Sequence, residues 1–285
     1  MPYALFMLER VLISGAAGSI GSALAKKIAR QKPRSLILLD QDESGLFELE
    51  EEIKSKPIIA SIRDQDRIDE IFKKYRPTLV FHCAAYKHVP LMQEYPLEAL
   101  KTNMGGTLYM IEAAIRWNVK KFIFISTDKA VKPDSAMGLT KKYGELLCTM
   151  VNQLGKTKFI IVRFGNVMAS RGSVIPVFQK QIQENKPLTV TSEKMQRYFM
   201  GIYDAVDLIL QAAKMGNGGE IFVFDMGEPM FISDLAKLML KLSGKDLPIN
   251  IIGTRKGEKF SEELYDKEKE VIEAKIGNVF LIRKK

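Results

Sequence analysis

The chain has 285 residues, with 43 Lys+Arg against 34 Asp+Glu and a formal charge of +9; 46% of its residues are hydrophobic and 27% charged. That is the balance of a soluble globular protein with room for one large α/β domain, or a domain with a smaller lobe, and no apolar run approaches the ~18 residues that span a bilayer. The two cysteines, Cys83 and Cys148, are too few for a disulfide framework and read as core thiols of a reducing cytosol.

A basic surface suits anionic partners, but its sign alone does not separate nucleic acid from small phosphates, and the sequence shows no basic-aromatic nucleic-acid motif. The start, Met1-Pro-Tyr-Ala-Leu-Phe-Met-Leu8, lacks a basic flank and a cleavage site. It reads as a lead-in to the first strand and not as a signal peptide.

Val11-Leu-Ile-Ser14 is a short β run. Gly15-Ala-Ala-Gly-Ser-Ile-Gly21 follows it, and a helical pattern then runs through Leu24 and Ile28. A strand, a glycine-rich turn and a helix form the context in which a glycine motif reads as dinucleotide-binding. Gly15 suits the tight turn, Gly18 the close approach of backbone to a pyrophosphate, and Gly21 the packing of helix on strand. Ser19 and Ile20 open the helix, whose free N–H groups face the phosphates. A second strand, Leu36-Ile-Leu-Leu39, ends about 20 residues on in Asp40, where a carboxylate can bind the adenosine ribose and would repel a 2′-phosphate. NAD is therefore expected rather than NADP.

The alternation continues with a strand at Lys56–Ala60 and a turn, Ser61-Ile-Arg-Asp64, that could place Asp64 near the adenine. A helix is expected over Asp66–Tyr75, and a strand over Leu79–Ala85 that breaks into a small-residue loop with Ala84 and Ala85. A helix follows over Leu97–Trp117, interrupted near Gly105-Gly106. A strand at Lys120–Ser126, a helix at Gly138–Leu154 and a strand at Thr157–Phe164 complete a doubly wound parallel sheet of Rossmann type. Ligands of such sheets sit beyond the carboxyl ends of the strands. The buried run Phe122-Ile-Phe-Ile125 delivers Thr127, Asp128 and Lys129 to that place, and Met137 and Lys141, four apart, share a helical face just after it.

Beyond Phe164 the rhythm changes. A polar loop over 165–173 is followed by a helix near Ile175–Glu184, a strand at Leu188–Val190, a helix near Tyr203–Met215, a strand at Ile221–Phe224 and a helix at Ile232–Leu242. The charged Lys267–Lys269 stretch reads as exposed helix. Residues 1–165 are thus expected to form the dinucleotide domain. Residues 166–285 are expected to form mainly a smaller substrate lobe, some segments of which return to the sheet.

With these residues in hand, the chain resembles the extended short-chain dehydrogenase/reductases, and more closely the UDP-N-acetylglucosamine 4,6-dehydratases of polysaccharide biosynthesis. The resemblance rests on the glycine motif, His82-Cys-Ala-Ala-Tyr-Lys-His-Val-Pro90, Lys101-Thr-Asn103, Ser126-Thr-Asp-Lys-Ala130, Met137-Gly-Leu-Thr-Lys141, Arg163-Phe-Gly-Asn166 with Ser170-Arg-Gly-Ser-Val-Ile-Pro176, and Arg255-Lys-Gly-Glu-Lys259. Many relatives carry an N-terminal membrane region and this sequence shows none, so it looks like a stand-alone soluble catalytic unit, expected in the cytoplasm. Met137 departs from the wider family, which has a tyrosine there; one subgroup of these dehydratases shares the methionine.

The resemblance implies a cycle in which C4 of the sugar is oxidised, water leaves across C5 and C6, and hydride returns to C6. Asp128 would protonate the C6 hydroxyl. Lys129 would be the C5 base, made neutral by burial and by nearby positive charge from Lys141 and the cofactor. Lys141 would bind the nicotinamide ribose, Thr127 the C4 hydroxyl, and Met137 would pack against sugar or nicotinamide. The C4 proton would leave through Asp128, Thr127 or water, with Asp128 acting twice the favoured route. Lys87 would line the sugar pocket. Asn166, Arg171, Arg197 and Arg255 would hold the diphosphate, Glu258 would meet ribose or sugar hydroxyls, and Ser173 and Val174 the uracil. Retention at C5 and a homodimer or higher homo-oligomer are expected. A nucleotide-sugar 4-epimerase and a non-catalytic NAD-binding protein are the competing readings.

Overall fold

The computed structural model describes residues 9–285; the expected lead-in at 1–8 lies outside the described residues. The first half alternates as its apolar periodicity requires: β1 (Arg10–Ser14), α1 (Ser19–Ala29), β2 (Ser35–Asp40), α2 (Glu43–Glu52), β3 (Lys56–Ile59), α3 (Gln65–Tyr75) and β4 (Leu79–His82). Two short helices follow, α4 (Val89–Glu94) and α5 (Pro96–Ala99). The chain then passes through a π-helical turn at Leu100–Gly106 into α6 (Thr107–Arg116). The helix expected over 97–117 is therefore three pieces, and the widened turn contains the two glycines that signalled the interruption. Next come β5 (Lys121–Thr127), a single 3₁₀ turn at Asp128–Ala130, α7 (Ala136–Val151) and β6 (Lys158–Phe164).

The second half mixes two destinations. Short strands β7 (Asn166–Val167), β8 (Leu188–Val190), β9 (Gln196–Arg197) and β10 (Phe199–Met200) surround α8 (Val174–Gln183). Then follow α9 (Ile202–Met215), β11 (Ile221–Phe224), β12 (Met230–Phe231), α10 (Ile232–Ser243), β13 (Ile249–Ile251), β14 (Glu270–Ile276) and β15 (Val279–Lys284). The main sheet has nine strands in the order β14-β15-β11-β6-β5-β4-β1-β2-β3. Its run from β11 to β3 is parallel, and β15 and β14 pair antiparallel at the edge. This is a Rossmann-like α/β fold. The 267–269 stretch, expected as helix, is instead a turn leading into β14. Its charges mark exposure, while Val271, Ile272 and Ile276 find a β partner in β15.

Side chains alternate across the central strands and build one core on each face. Val11, Ile13, Leu38, Phe81, Ile123 and Val162 pack with Leu24 and Ile28 of α1 and Leu208 and Ile209 of α9. Leu12, Ile37, Val80, Phe122, Phe124 and Ile161 pack with Phe72 of α3 and Met110 and Ile111 of α6. Cys148 is buried in the second core and Cys83 is half-buried; both are free thiols. A separate core of Phe178, Ile182, Leu188, Val190, Ile232 and Leu235 holds the lobe.

One polar group crosses these layers. Arg163 on β6 is fully buried, and its guanidinium forks onto two carboxylates. It reaches Glu145 of α7 at 2.8 and 2.9 Å and Glu270 at the start of β14 at 2.9 and 3.0 Å. Ser126 of β5 donates to the same Glu145 at 2.7 Å. Burial alone would push the Glu145 carboxyl up, but the adjacent Arg163 outweighs it and holds the group below its ordinary value. Arg163→Met strands two buried carboxylates and is expected to cost about 3–5 kcal/mol. Replacing all three residues together by apolar ones should recover most of that loss. Urea denaturation of both variants checks the pair of outcomes.

Candidate active site

The glycine turn builds the first half of the site. Gly15 adopts φ +69°, and a Cβ there would lie 2.6 Å from the Ala84 backbone nitrogen, so only glycine lets β1 and the loop after β4 close together. A Cβ on Gly21 would collide with the Gly15 carbonyl, which is how α1 comes to lie tight on β1. Gly18 caps α1, and Ser19 and Ile20 are its first residues. Asp40, at the end of β2, accepts from the Ala17 N–H at 2.9 Å and the Asp42 N–H at 3.1 Å. A cleft of about 220 Å³ results, lined among others by Gly15, Gly18, Asp40, Ser61, Ile62 and Ala84. Ala85 and Thr102 also border it. Asp64, expected there, instead caps α3 by accepting from the Arg67 N–H at 3.0 Å, and it does not line the cleft. The turn after β3 supplies Ser61 and Ile62 in its place.

The loop after β4 is pinned by Asn103 from the π-helical turn. Its amide oxygen accepts from the Tyr86 N–H at 2.8 Å, and its amide nitrogen donates to the Tyr86 carbonyl at 3.0 Å and to Thr140 Oγ1 at 3.1 Å. Below it, His82 is fully buried and shares hydrogen bonds with Ser14 (2.7 Å) and Thr107 (2.9 Å). Burial drives its pKa down to about 3, so it is a neutral core residue. The Lys101-Thr-Asn103 motif was legible in the sequence, but its task was not.

At the end of β5, Thr127 donates to Asp128 Oδ1 at 2.9 Å, and Lys129 Nζ donates to the same oxygen at 3.0 Å and to Asn166 Oδ1 at 3.1 Å. Asp128 is 0% exposed, and its Oδ2 has no partner among the described residues. A Cβ on Gly165 would sit 3.1 Å from that oxygen, so the glycine leaves room beside the acid. Lys129 also lies 3.6 Å from Glu262 Oε1. This corrects one expectation: the charges next to Lys129 are two carboxylates, and Lys141 is not among its partners. Glu262 gave no signal in the sequence, because Phe260-Ser-Glu-Glu reads as ordinary surface charge.

Lys141 points from α7 toward the sheet, with Nζ 4.2 Å from the Phe124 ring centre and only 6% of the residue exposed. Burial lowers its pKa to about 8, against opposing pulls from Cys83, Glu145 and Cys148. Met137, one turn earlier, is buried among Met92, Ala99, Tyr86 and Val89. A thioether suits that apolar nest, where a phenol would need a partner for its hydroxyl.

The residues expected for the diphosphate each have partners within the fold. Asn166 joins Lys129. Arg171, exposed, pairs with Asp42 at 3.2 Å and donates its N–H to Ser19 Oγ at 2.9 Å, so it borders the glycine cleft. Arg197 is buried, and its guanidinium donates to the carbonyls of Gln196 (2.6 Å) and Lys259 (2.9 Å), tying β9 to the loop between β13 and β14. Arg255 and Glu258 close a turn on one another, the Arg255 N–H donating to Glu258 at 3.0 Å. Lys87 reaches Ser170 Oγ at 3.4 Å. Ser173 precedes α8, which Val174 opens, and its hydroxyl is buried without a partner among the described residues.

A family profile described as "Polysaccharide biosynthesis protein" matches residues 11–284. The capsular polysaccharide biosynthesis protein CapD of Staphylococcus aureus is 44% identical over 271 residues, covering 91% of this chain and 45% of that protein. The chain thus spans about half the length of that curated relative. A UDP-glucose 4-epimerase of Rickettsia bellii is 38% identical, covering 98% of this chain and 84% of that one. The crystal structure of Pen from Bacillus thuringiensis superposes with a TM-score of 0.92 at 35% identity, covering 98% of this chain and 91% of that one. The match runs through every element of the site, and the chain belongs to the polysaccharide biosynthesis protein family.

Proposed function

We propose that this chain is an NAD-dependent nucleotide-sugar 4,6-dehydratase acting on UDP-N-acetylglucosamine. The observation that carries the reading is the end of β5, where a fully buried acid with one unpartnered oxygen bonds to both a threonine and a lysine. Oxidation at C4 alone needs no such acid and base pair; elimination of water from C5 and C6 needs both. The capsular role of the CapD relative and the sugar-nucleotide chemistry named for the epimerase support the substrate class.

The residues present fit a dinucleotide. The Gly15 cradle is one that a Cβ would fill, and the α1 N-terminus has no acidic residue in its first turn. Gly18, Ser19 and Ile20 would face the pyrophosphate, Asp40 the adenosine ribose, and Lys141 the nicotinamide ribose. The Asp40 carboxylate favours NAD over NADP. When bound, the dinucleotide supplies a reversible hydride acceptor.

The chain's own groups do the rest. Thr127 passes the C4 hydroxyl proton to Asp128 along the hydrogen bond they already share. Lys129 removes the C5 proton, made acidic by the C4 ketone. Asp128 gives its proton to the departing C6 oxygen. With Met137 buried in an apolar nest, no phenol is available at that position, and Asp128 serves at both C4 and C6. Lys87, Asn166, Ser173 and Val174 remain the residues we assign to the UDP-sugar. A homodimer fits the exposed Leu146 and Met150 on α7 and Ile115 on α6, an apolar strip of the kind a helix pair covers.

Incubating the protein with UDP-N-acetylglucosamine in D₂O is expected to give a product lacking one water and carrying one deuterium at C5. An unchanged mass with C4 inverted would establish the epimerase chemistry of the Rickettsia relative instead. Lys141 supplies a second test. It titrates at about 8 in the fold, below its ordinary 10.5, so the unfolded chain binds more protons between those values. The burden on stability is therefore whole below pH 8 and lifts as pH rises toward 10.5. Lys141→Met is expected to abolish turnover and raise the unfolding free energy by roughly 2–3 kcal/mol at pH 7, a gain that shrinks at pH 10. Denaturant melts at the two pH values check it.

A further inference from the structure

Lys129 faces two carboxylates where an ion pair needs one. Asp128 Oδ1 is 3.0 Å and Glu262 Oε1 3.6 Å from its Nζ. Glu262 is only 4% exposed and is delivered by the loop between β13 and β14. Like Asp128, it keeps one buried oxygen, Oε2, without a partner among the described residues. Leaving a buried carboxylate oxygen unpaired carries its full desolvation penalty, so a purely structural role would leave that cost unrelieved at two neighbouring positions.

Proton accounting on the dehydration proposed above, on which this inference rests, shows what the second carboxylate does. Lys129 starts as an ammonium between carboxylates and must lose a proton before it can take one from C5. By then Asp128 already holds the C4 hydroxyl proton and must keep it for the C6 oxygen. We propose that Glu262 is the positioning residue that takes the spare proton of Lys129, freeing the amine as the C5 base. The Nζ–H bond breaks and a Glu262 O–H bond forms; the amine lone pair then bonds the C5 proton. When Lys129 returns a proton to C5, Glu262 returns its own to Lys129, and the C4 proton leaves in the water. No net proton, oxidant or reductant is consumed. The 3.6 Å separation shortens to a hydrogen bond as the site fills, as catalytic contacts commonly do.

The groups facing Glu262 are Lys129, Asp128, Arg197 and Lys259. Arg197 is engaged by the carbonyls of Gln196 and Lys259, and Lys259 donates to the carbonyls of Val131 and Lys132. Burial, helped by the negative charge of Asp128, raises the Glu262 carboxyl above its ordinary value despite the three cations.

The test uses the full chain with Glu262→Gln and Glu262→Asp. In a single turnover, Glu262→Gln is expected to form the 4-keto sugar with wild-type amplitude, while C5 deuterium exchange slows by about 100-fold or more. Glu262→Asp should recover part of the exchange, with a displaced pH profile. A structural role would depress both steps together, and that outcome, or exchange by Glu262→Gln within about threefold of wild type, would overturn the assignment. A sugar-free readout separates this inference from the reaction beneath it. The infrared band of the protonated Glu262 carboxyl, identified by its loss in Glu262→Gln, should titrate above the ordinary glutamate value of about 4.3. A midpoint at or below that value refutes the proton-acceptor role whatever the substrate; if the wild type dehydrates nothing, the proposed reaction alone has failed.

Discussion

The site depends on a buried arginine that never touches it. Arg163 sits one residue before the end of β6 and binds Glu145 of α7 and Glu270 at the start of β14. Glu270 in turn accepts the Asp266 N–H at 2.8 Å, and Arg163 itself donates to the Leu264 carbonyl at 3.2 Å. The loop carrying Glu262 and the helix carrying Met137 and Lys141 are thereby referred to one guanidinium. The planar fork of arginine makes such a joint directional, which a lysine could not do. Once these partners are buried, Arg163 cannot be lost without stranding two carboxylates.

The polar groups nearer the ligand cleft follow the same rule. His82 is wedged between Ser14 and Thr107, and Asn103 uses both ends of its amide to hold Tyr86 and Thr140. Each is satisfied and each links two elements, so the backbone around the glycine turn is held without strain at non-glycine positions. Among the described residues the two carboxylates that pair with Lys129 differ: Asp128 Oδ2 and Glu262 Oε2 are buried without a partner, as are the hydroxyls of Ser55 and Ser173. The two carboxylates are the groups between which protons are proposed to move.

Membership of the polysaccharide biosynthesis family and the close superposition on Pen concern the same architecture, and the chain spans only part of CapD. Relatives carrying epimerase names share this scaffold, so the scaffold does not choose the reaction. On the function proposed above, the choice lies in a few side chains: Met137 in an apolar nest, and Asp128 and Lys129 hydrogen-bonded at the strand end.

The sequence by itself determined the alternating sheet, the glycine turn ending at Asp40, and the exit of β5 into Thr127, Asp128 and Lys129, because each is written in local periodicity, turn chemistry and short spacing. It misjudged the 267–269 turn because exposed charge looks alike on helix and hairpin. The resemblance placed Arg197 on the diphosphate; that its guanidinium meets the carbonyls of Gln196 and Lys259 depends on a loop some 60 residues away, which no local pattern shows. Only the tertiary structure decided that Lys129 meets Glu262 rather than Lys141, and that Arg163 gathers Glu145 and Glu270. Lys129 and Glu262, like Arg163 and Glu270, are more than a hundred positions apart, and no local pattern encodes which charge a buried side chain will face until the layers close around it.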